Sequence, residues 1–188
     1  MSKIVVVGSI SMDLVMRTKR IPEGGETIFG DSFNIVPGGK GANQAVAIGR
    51  LSSVEDNIYI FGDVGEDIFS ADLLSNLQNN NISIEHVGTV PQFTGVAQIT
   101  LYGGDNRIIY YPGANNLVKT NDWKNEWELI SDASIVVLQN EIPHEANLSI
   151  AKFCQENKVK VLYNPAPARE TDIEMIPFCD FITPNEHE

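Results

Sequence analysis

Short runs of apolar, mostly β-branched residues recur at Lys3–Gly8, Ile58–Gly62, Ser134–Leu138, Val159–Tyr163 and Asp180–Thr183. Runs of this length, bounded by glycine and polar residues, read as buried strands. Between several of them the apolar spacing changes to the three-and-four step of an amphipathic helix. Ala42, Ala45, Val46 and Gly49 mark the inward side of one helix, small enough to lie close on a sheet. Ile68, Leu73, Leu74 and Leu77 form the stripe of a second, opened by the acids Glu66-Asp67 and closed by Asn79-Asn80-Asn81. A third carries Ala146, Ile150, Phe153 and Cys154 inward and starts at Pro143, taken as its first helical residue. Strands alternating with helices predict an α/β chain built on a parallel sheet.

Two stretches break the alternation: Ile28–Val36, and the pair Thr94–Tyr102 and Arg107–Tyr111 joined by Gly103-Gly104-Asp105-Asn106. The joint supplies residues tolerant of positive φ, which is hairpin chemistry. A small antiparallel sheet is expected at the edge of the α/β body, within residues 10–37 and 93–112. Such an appendage covers a site as a lid or pairs two copies through its strands. Asn115–Trp127, polar and without a period, is the nearest approach to a linker.

With 188 residues, 43% of them hydrophobic, the chain can bury a real core. A formal charge of −12 argues against nucleic acid as a partner. It still allows an anionic small molecule at local cations, of which Arg17, Lys19, Arg20 and Lys40 are the candidates. No apolar run approaches the roughly 18 residues of a membrane span, and Ile4-Val5-Val6-Val7 is too short for a signal peptide core. A cytoplasmic protein without membrane contact is therefore expected. Cys154 and Cys179 lack metal-type spacing and read as buried free thiols. His86, His144 and His187 have no nucleophile or metal partner at a sensible spacing and read as structural or solvated.

The chemistry concentrates in Pro37-Gly38-Gly39-Lys40-Gly41-Ala42-Asn43-Gln44-Ala45. Three glycines let backbone approach a small molecule, and a helix starting there would aim unpaired N–H groups at it. Neither the P-loop spacing nor G-x-G-x-x-G is met. In an open parallel sheet, ligands sit beyond the carboxyl ends of the strands, which places Asp13 and Glu141 in view. These carboxylates accept from hydroxyls while Lys40 and Asn43 donate, a combination that suits a polyol. Plainer readings stand beside these: Asp13 as the cap of a helix or turn, Glu141 as a first-turn acid of the helix at Pro143, and Asn164-Pro165-Ala166-Pro167 as a stiff loop.

Gly8-Ser9-Ile10, Asp13, Gly38 to Ala45, Gly62-Asp63-Val64-Gly65-Glu66-Asp67, Thr94-Gly95-Val96-Ala97, Gly113-Ala114-Asn115, Asn164 to Arg169 and Thr183-Pro184-Asn185-Glu186-x-Glu188 occur in this order. Across its length the chain resembles the ribokinases of the PfkB family of carbohydrate kinases. The resemblance implies a Rossmann-like parallel sheet flanked by helices, with residues 1–188 as one incomplete domain carrying a β-lid. It implies transfer of the γ-phosphoryl group of ATP to the 5-hydroxyl of D-ribose, with Mg²⁺, activation by K⁺, and a homodimer formed through the lid.

By the same resemblance Ser11, Asp13, Gly39, Lys40, Gly41, Ala42, Asn43 and Glu141 surround the sugar, and Ala97 and Ile108 cover it from the lid. Asn185 lies near the ATP phosphates and Glu188 helps hold magnesium through water. Ser11 stands where family members commonly carry Asn, so the contact there is made by a shorter group. The family's catalytic motif Asp-Thr-x-Gly-Ala-Gly-Asp lies well downstream of Asn-x-x-Glu and is not among these residues; Gly103-Gly104-Asp105 reads as a hairpin turn. The 188 residues alone are therefore expected not to turn over ATP. A ribose-binding or regulatory module without catalysis, or a kinase for another sugar or a nucleoside, stays open as an alternative.

Overall fold

The strand Lys3–Val7 (β1) sends Val5 and Val7 into one hydrophobic cluster and Val6 into another, on the opposite face of the sheet. A strand buried on both faces must be apolar throughout, which is why these runs do not alternate with polar residues. In the computed structural model, which describes residues 2–53, 55–123 and 126–188, β1 lies at the middle of a parallel sheet. Its companions are Asn57–Gly65 (β4), Ile82–Ser83 (β5), Val87–Val90 (β6), Ile135–Gln139 (β9), Lys160–Asn164 (β10) and Phe181–Ile182 (β11). The order is β11-β10-β9-β1-β4-β5, with β6 running beside the far end of β4.

Helices Lys40–Leu51 (α1) and Ser70–Asn79 (α2) cover one face through Ala42, Ala45, Leu73 and Leu77. Trp127–Ser131 (α3) and His144–Asn157 (α4) cover the other through Ile130, Ala146, Ile150 and Cys154. Each fully buried aliphatic side chain contributes about 1.5–3 kcal/mol, so the two clusters carry the stability of the body. Gly49 lets α1 lie close to the end of α2, since a Cβ there would fall 2.3 Å from the Asn80 carbonyl oxygen.

Several expectations shift at their edges. Ile68 is 84% exposed, because α2 begins only at Ser70 and leaves it outside the stripe. Pro143 precedes the first helical residue of α4 rather than being it, with ψ at 136°. Asn115–Trp127 is no linker: it carries two 3-10 turns, and Val118 and Trp123 anchor it in the core at 1% and 6% exposure. Lys124 and Asn125 lie outside the described residues. Cys154 and Cys179 are free, and burial followed by the charge of Asp180 pushes their thiols up, to about 12 and about 11. His86 stacks on Phe61 at 4.4 Å between ring centres, a structural role.

The second sheet comprises Ser11–Arg17 (β2), Ser32–Gly38 (β3), Gly95–Tyr102 (β7) and Asp105–Tyr111 (β8), in the order β3-β2-β7-β8. Its outer ladders are antiparallel, and one parallel ladder between β2 and β7 joins them. The segment expected over 28–36 becomes a strand only from Ser32. The β7–β8 hairpin turns on Gly103 and Gly104 alone, both at positive φ, as a two-residue primed turn requires.

Candidate active site

The chain leaves β1 through Gly8-Ser9-Ile10 and enters β2, so the carboxyl end of the main sheet feeds directly into the lid sheet. Gly39 turns the chain into α1 with φ at 88°, and a Cβ there would lie 2.8 Å from the Ser11 nitrogen. Glycine meets both demands.

The first amides of α1 are already engaged. Lys40 N–H donates to Glu141 Oε2 at 2.8 Å, Gly41 N–H to Ser9 Oγ at 3.2 Å, and Ala42 N–H to the Ser9 carbonyl at 2.9 Å. Ser9 Oγ donates in turn to Glu141 Oε2 at 2.6 Å. This corrects the expectation of free N–H groups facing a ligand, because the β1–β2 turn and Glu141 have taken them. It also displaces the plainer reading of Glu141: the carboxylate sits at the positive end of α1, not in the first turn of α4.

Under the lid lies a cavity of about 170 Å³, below the roughly 300 Å³ at which drug-sized pockets begin. Ser11, Asp13, Gly39, Lys40, Asn43, Ala97, Ile108 and Glu141 all line it, together with Ile99 and Tyr110. Gly41 and Ala42 do not; they are buried behind it against the β1–β2 turn. Strand register explains the lid's contribution. Asp13 pairs with Ala97 and Ala97 with Tyr110, while Ile99 pairs with Ile108 two residues along, so alternation turns all five to one face.

Asp13 lies in mid-strand, which removes its reading as a cap. Its carboxylate sits over Gly38, where a Cβ would come within 2.3 Å of it. Burial, and then the neighbouring charge of Glu141, raise its carboxyl above the usual range. The cavity thus sets two carboxylates against the amine of Lys40 and the carboxamide of Asn43. Of the other candidate cations, Arg20 is held by Glu26 on the exposed lid loop.

Of three supporting groups, Tyr110 escaped sequence reasoning, while Asn115 and Asp67 stood in sequence motifs without these contacts. Tyr110 and Asn115 form a hydroxyl and amide cluster with Ser11 at the lid wall. Alternation from Ile108 would have found Tyr110. Asp67 accepts from Thr94 N–H at 2.6 Å and Phe69 N–H at 2.9 Å, tying the loop after β4 to the start of lid strand β7. Burial works against its charge, yet these amide bonds hold its carboxyl below the usual range.

The Asn164–Arg169 loop is structural. Asn140, after β9, donates to the Pro167 carbonyl and to Asp172, while the Arg169 guanidinium donates to the Ile142 carbonyl. Asn185 and Glu188 do not reach the cavity. Asn185 Oδ1 accepts from the N–H groups of His187 and Glu188, and Glu188 Oε2 accepts from Asn185 N–H at 3.0 Å. These reciprocal bonds tie Asn185 and Glu188 to each other.

Comparison with known proteins agrees with this architecture. The model of the pfkB family carbohydrate kinases matches residues 1–188. A ribokinase of Lactococcus lactis is 62% identical over 188 residues, covering all of this chain and 62% of the relative. The crystal structure of a Thermotoga maritima ribokinase superposes with a TM-score of 0.88 at 36% identity, over the whole chain and 61% of that protein. An Arabidopsis thaliana ribokinase complexed with ribose and ATP superposes at 0.82 with 31% identity, over the whole chain and 61% of that protein. The chain therefore spans a little over three fifths of the length of these relatives. With the family model matched from end to end and the fold shared with solved ribokinases, the chain belongs to the pfkB family of carbohydrate kinases.

Proposed function

We propose that this chain is the sugar-binding portion of a ribokinase, which transfers the γ-phosphoryl group of ATP to the 5-hydroxyl of D-ribose. The observation that carries the reading is the small lid-covered cavity with the Asp13 and Glu141 carboxylates facing Lys40 and Asn43. Acceptors and donors in one enclosure fit a molecule whose every hydroxyl does both. The identity to the Lactococcus ribokinase and the ribose and ATP bound by the Arabidopsis relative support ribose over other sugars.

In this reading Asp13 accepts from sugar hydroxyls and Glu141 holds the start of α1 in place, so Lys40 and Asn43 meet the sugar without reorganisation. Phosphoryl transfer depends mostly on such positioning and on stabilising charge. Asn185 is assigned to the ATP phosphates. Among the described residues no three or more His, Cys, Asp or Glu gather to hold a metal ion. Glu188 keeps one carboxylate oxygen beyond its bond to Asn185, which suits contact through magnesium's own waters. When bound, magnesium would offset the phosphate charge. Activation by K⁺ belongs to the proposal without a residue of this chain assigned to it. The free thiols of Cys154 and Cys179 fit a reducing, cytoplasmic setting.

Because the family's downstream catalytic motif is not among these residues, the 188-residue chain is expected to bind D-ribose in calorimetry and to consume no ATP. Ribose-dependent ATP consumption by a pure sample would overturn the second half of this expectation, and no heat with any pentose would overturn the first. The proposal includes pairing of two copies through the lid, whose face away from the cavity exposes Phe33, Ile35 and Ile109 at 52%, 53% and 72%. Sedimentation should show a dimer that Ile109→Asp converts to monomer; a monomer without the substitution counts against it.

A further inference from the structure

Ser11 on β2, Tyr110 on β8 and Asn115 in the turn after β8 meet at the lid wall of the cavity. Asn115 is fully buried, and its amide has one orientation. Oδ1 accepts from Ile10 N–H at 2.9 Å, while Nδ2 lies 3.1 Å from the Ile10 carbonyl, 3.0 Å from Ser11 Oγ and 3.1 Å from Tyr110 Oη. Turning the amide over would set a donor against the Ile10 N–H. The amide nitrogen only donates, and its two protons are shared among these three oxygens, so neither hydroxyl can send its own proton there.

The two hydroxyl oxygens are 3.3 Å apart, and one proton closes that gap. Ser11 is 1% exposed, whereas Tyr110 keeps part of its surface open. Either hydroxyl can supply that proton; with Ser11 Oγ, the more buried of the two, as donor, Tyr110 keeps its own proton to direct into the cavity. Among the described residues no third acceptor lies within hydrogen-bonding distance of Tyr110 Oη, and its side chain lines the cavity.

We infer that the Tyr110 hydroxyl, oriented by Asn115 and Ser11, donates a hydrogen bond to one oxygen of the bound sugar and selects for a polyol bearing oxygen at that carbon. This rests on the sugar-kinase reading above and deepens it. Across the cavity Asp13 and Glu141 only accept, so a sugar hydroxyl placed between the walls donates to a carboxylate and accepts from Tyr110. Burial pushes the phenol up to about 12, with the charges of Glu141 and Asp13 adding to the rise, so the donor keeps its proton over the whole working pH range. A site that hydrogen-bonds a substrate hydroxyl rejects the analogue lacking it much more strongly than an apolar wall does.

The test is calorimetric binding of D-ribose and its 1-, 2- and 3-deoxy analogues to the full chain and to Tyr110→Phe, with thermal melting to verify that the variant folds. Loss of one hydrogen bond to a neutral partner should weaken ribose about tenfold, extending towards a hundredfold where the sugar oxygen is left buried without a donor. One deoxy analogue, already weak on the parent chain, should bind both proteins alike, while the other two lose the same factor as ribose. Tyr110→Phe binding ribose within about twofold of the parent, or weakening every analogue equally as a packing defect would, overturns the assignment. A parent chain that binds no pentose overturns the sugar-kinase reading and this one together, which separates that failure from a failure of Tyr110 alone.

Discussion

Asp13→Asn is expected to lose sugar affinity by on the order of a hundredfold and, without sugar, to leave the chain more stable at neutral pH. Hydrogen bonds from hydroxyls to a charged acceptor contribute about 1.5–3 kcal/mol each. Removing the charge and one acceptor oxygen therefore costs about 3 kcal/mol if two hydroxyls depend on it. The stability change runs the other way. Burial and then Glu141 raise the folded-state carboxyl of Asp13, so the folded chain holds that proton more tightly than the unfolded chain does. As pH rises from the unfolded carboxylate range through the raised folded value, the folded state must ionise a partly desolvated acid beside another carboxylate, and stability falls. Asn carries no such penalty. The variant's advantage should be absent in acid and present at pH 7, and small because the side chain is only half-buried. Calorimetry with D-ribose and melting at the two pH values test it. Unchanged ribose affinity, or a variant that melts lower than the parent at pH 7, would sink the role given to Asp13.

The body of the fold is written locally, and so it was legible. A strand covered on both faces must be apolar along its length, as Ile4 to Val7 are, and a helix against a sheet must repeat its small or apolar residues, as Ala42, Ala45 and Gly49 do. The lid obeys longer-range rules. The parallel ladder between β2 and β7 joins residues more than eighty positions apart; a lid is expected within residues 10–37, but its pairing of Ser11 to Arg17 with Gly95 to Leu101 is not. Separation along the chain also hides the grip of Asp67 on Thr94, 27 residues away, and of Asn115 on Ser11, 104 residues away. At the glycine run, composition revealed a crowded turn but not what crowds it. The helix start that looked open to a ligand is closed by Ser9 and by Glu141, which is 101 residues away from Lys40. Of the ten residues that line the cavity, Asp13, Gly39, Lys40, Asn43 and Glu141 stood out by position and chemistry and Ser11, Ala97 and Ile108 through the pattern of a family, while strand register explains why the lid residues converge.

Gly41→Ala should destabilise the fold by about 3 kcal/mol, although alanine is the better helix former by about 1 kcal/mol. Gly41 has ordinary helical backbone, so the cost is one of space. A Cβ there would stand 2.6 Å from the Gly8 carbonyl carbon, 2.6 Å from the Ser9 nitrogen and 2.8 Å from the Gly8 Cα. All three atoms are backbone of the β1–β2 turn, which the central sheet fixes on one side and the lid on the other, so no side chain can swing away. Helix α1 must instead back off. Overpacking costs roughly 1–3 kcal/mol, and the shift stretches the bonds from Lys40, Gly41 and Ala42 to Glu141 and Ser9, each contributing about 1 kcal/mol. These terms exceed the propensity gain severalfold. Gly24→Ala is the control, since nothing lies within 4 Å of a Cβ there; it should leave the urea midpoint unchanged or slightly raised. Ribose affinity should fall in Gly41→Ala alone, because Lys40, Asn43 and the Glu141 contact move with the helix. A Gly41→Ala chain as stable as its parent would mean that α1 does not interlock with the β1–β2 turn. The cavity would then owe its shape to the lid rather than to the helix start.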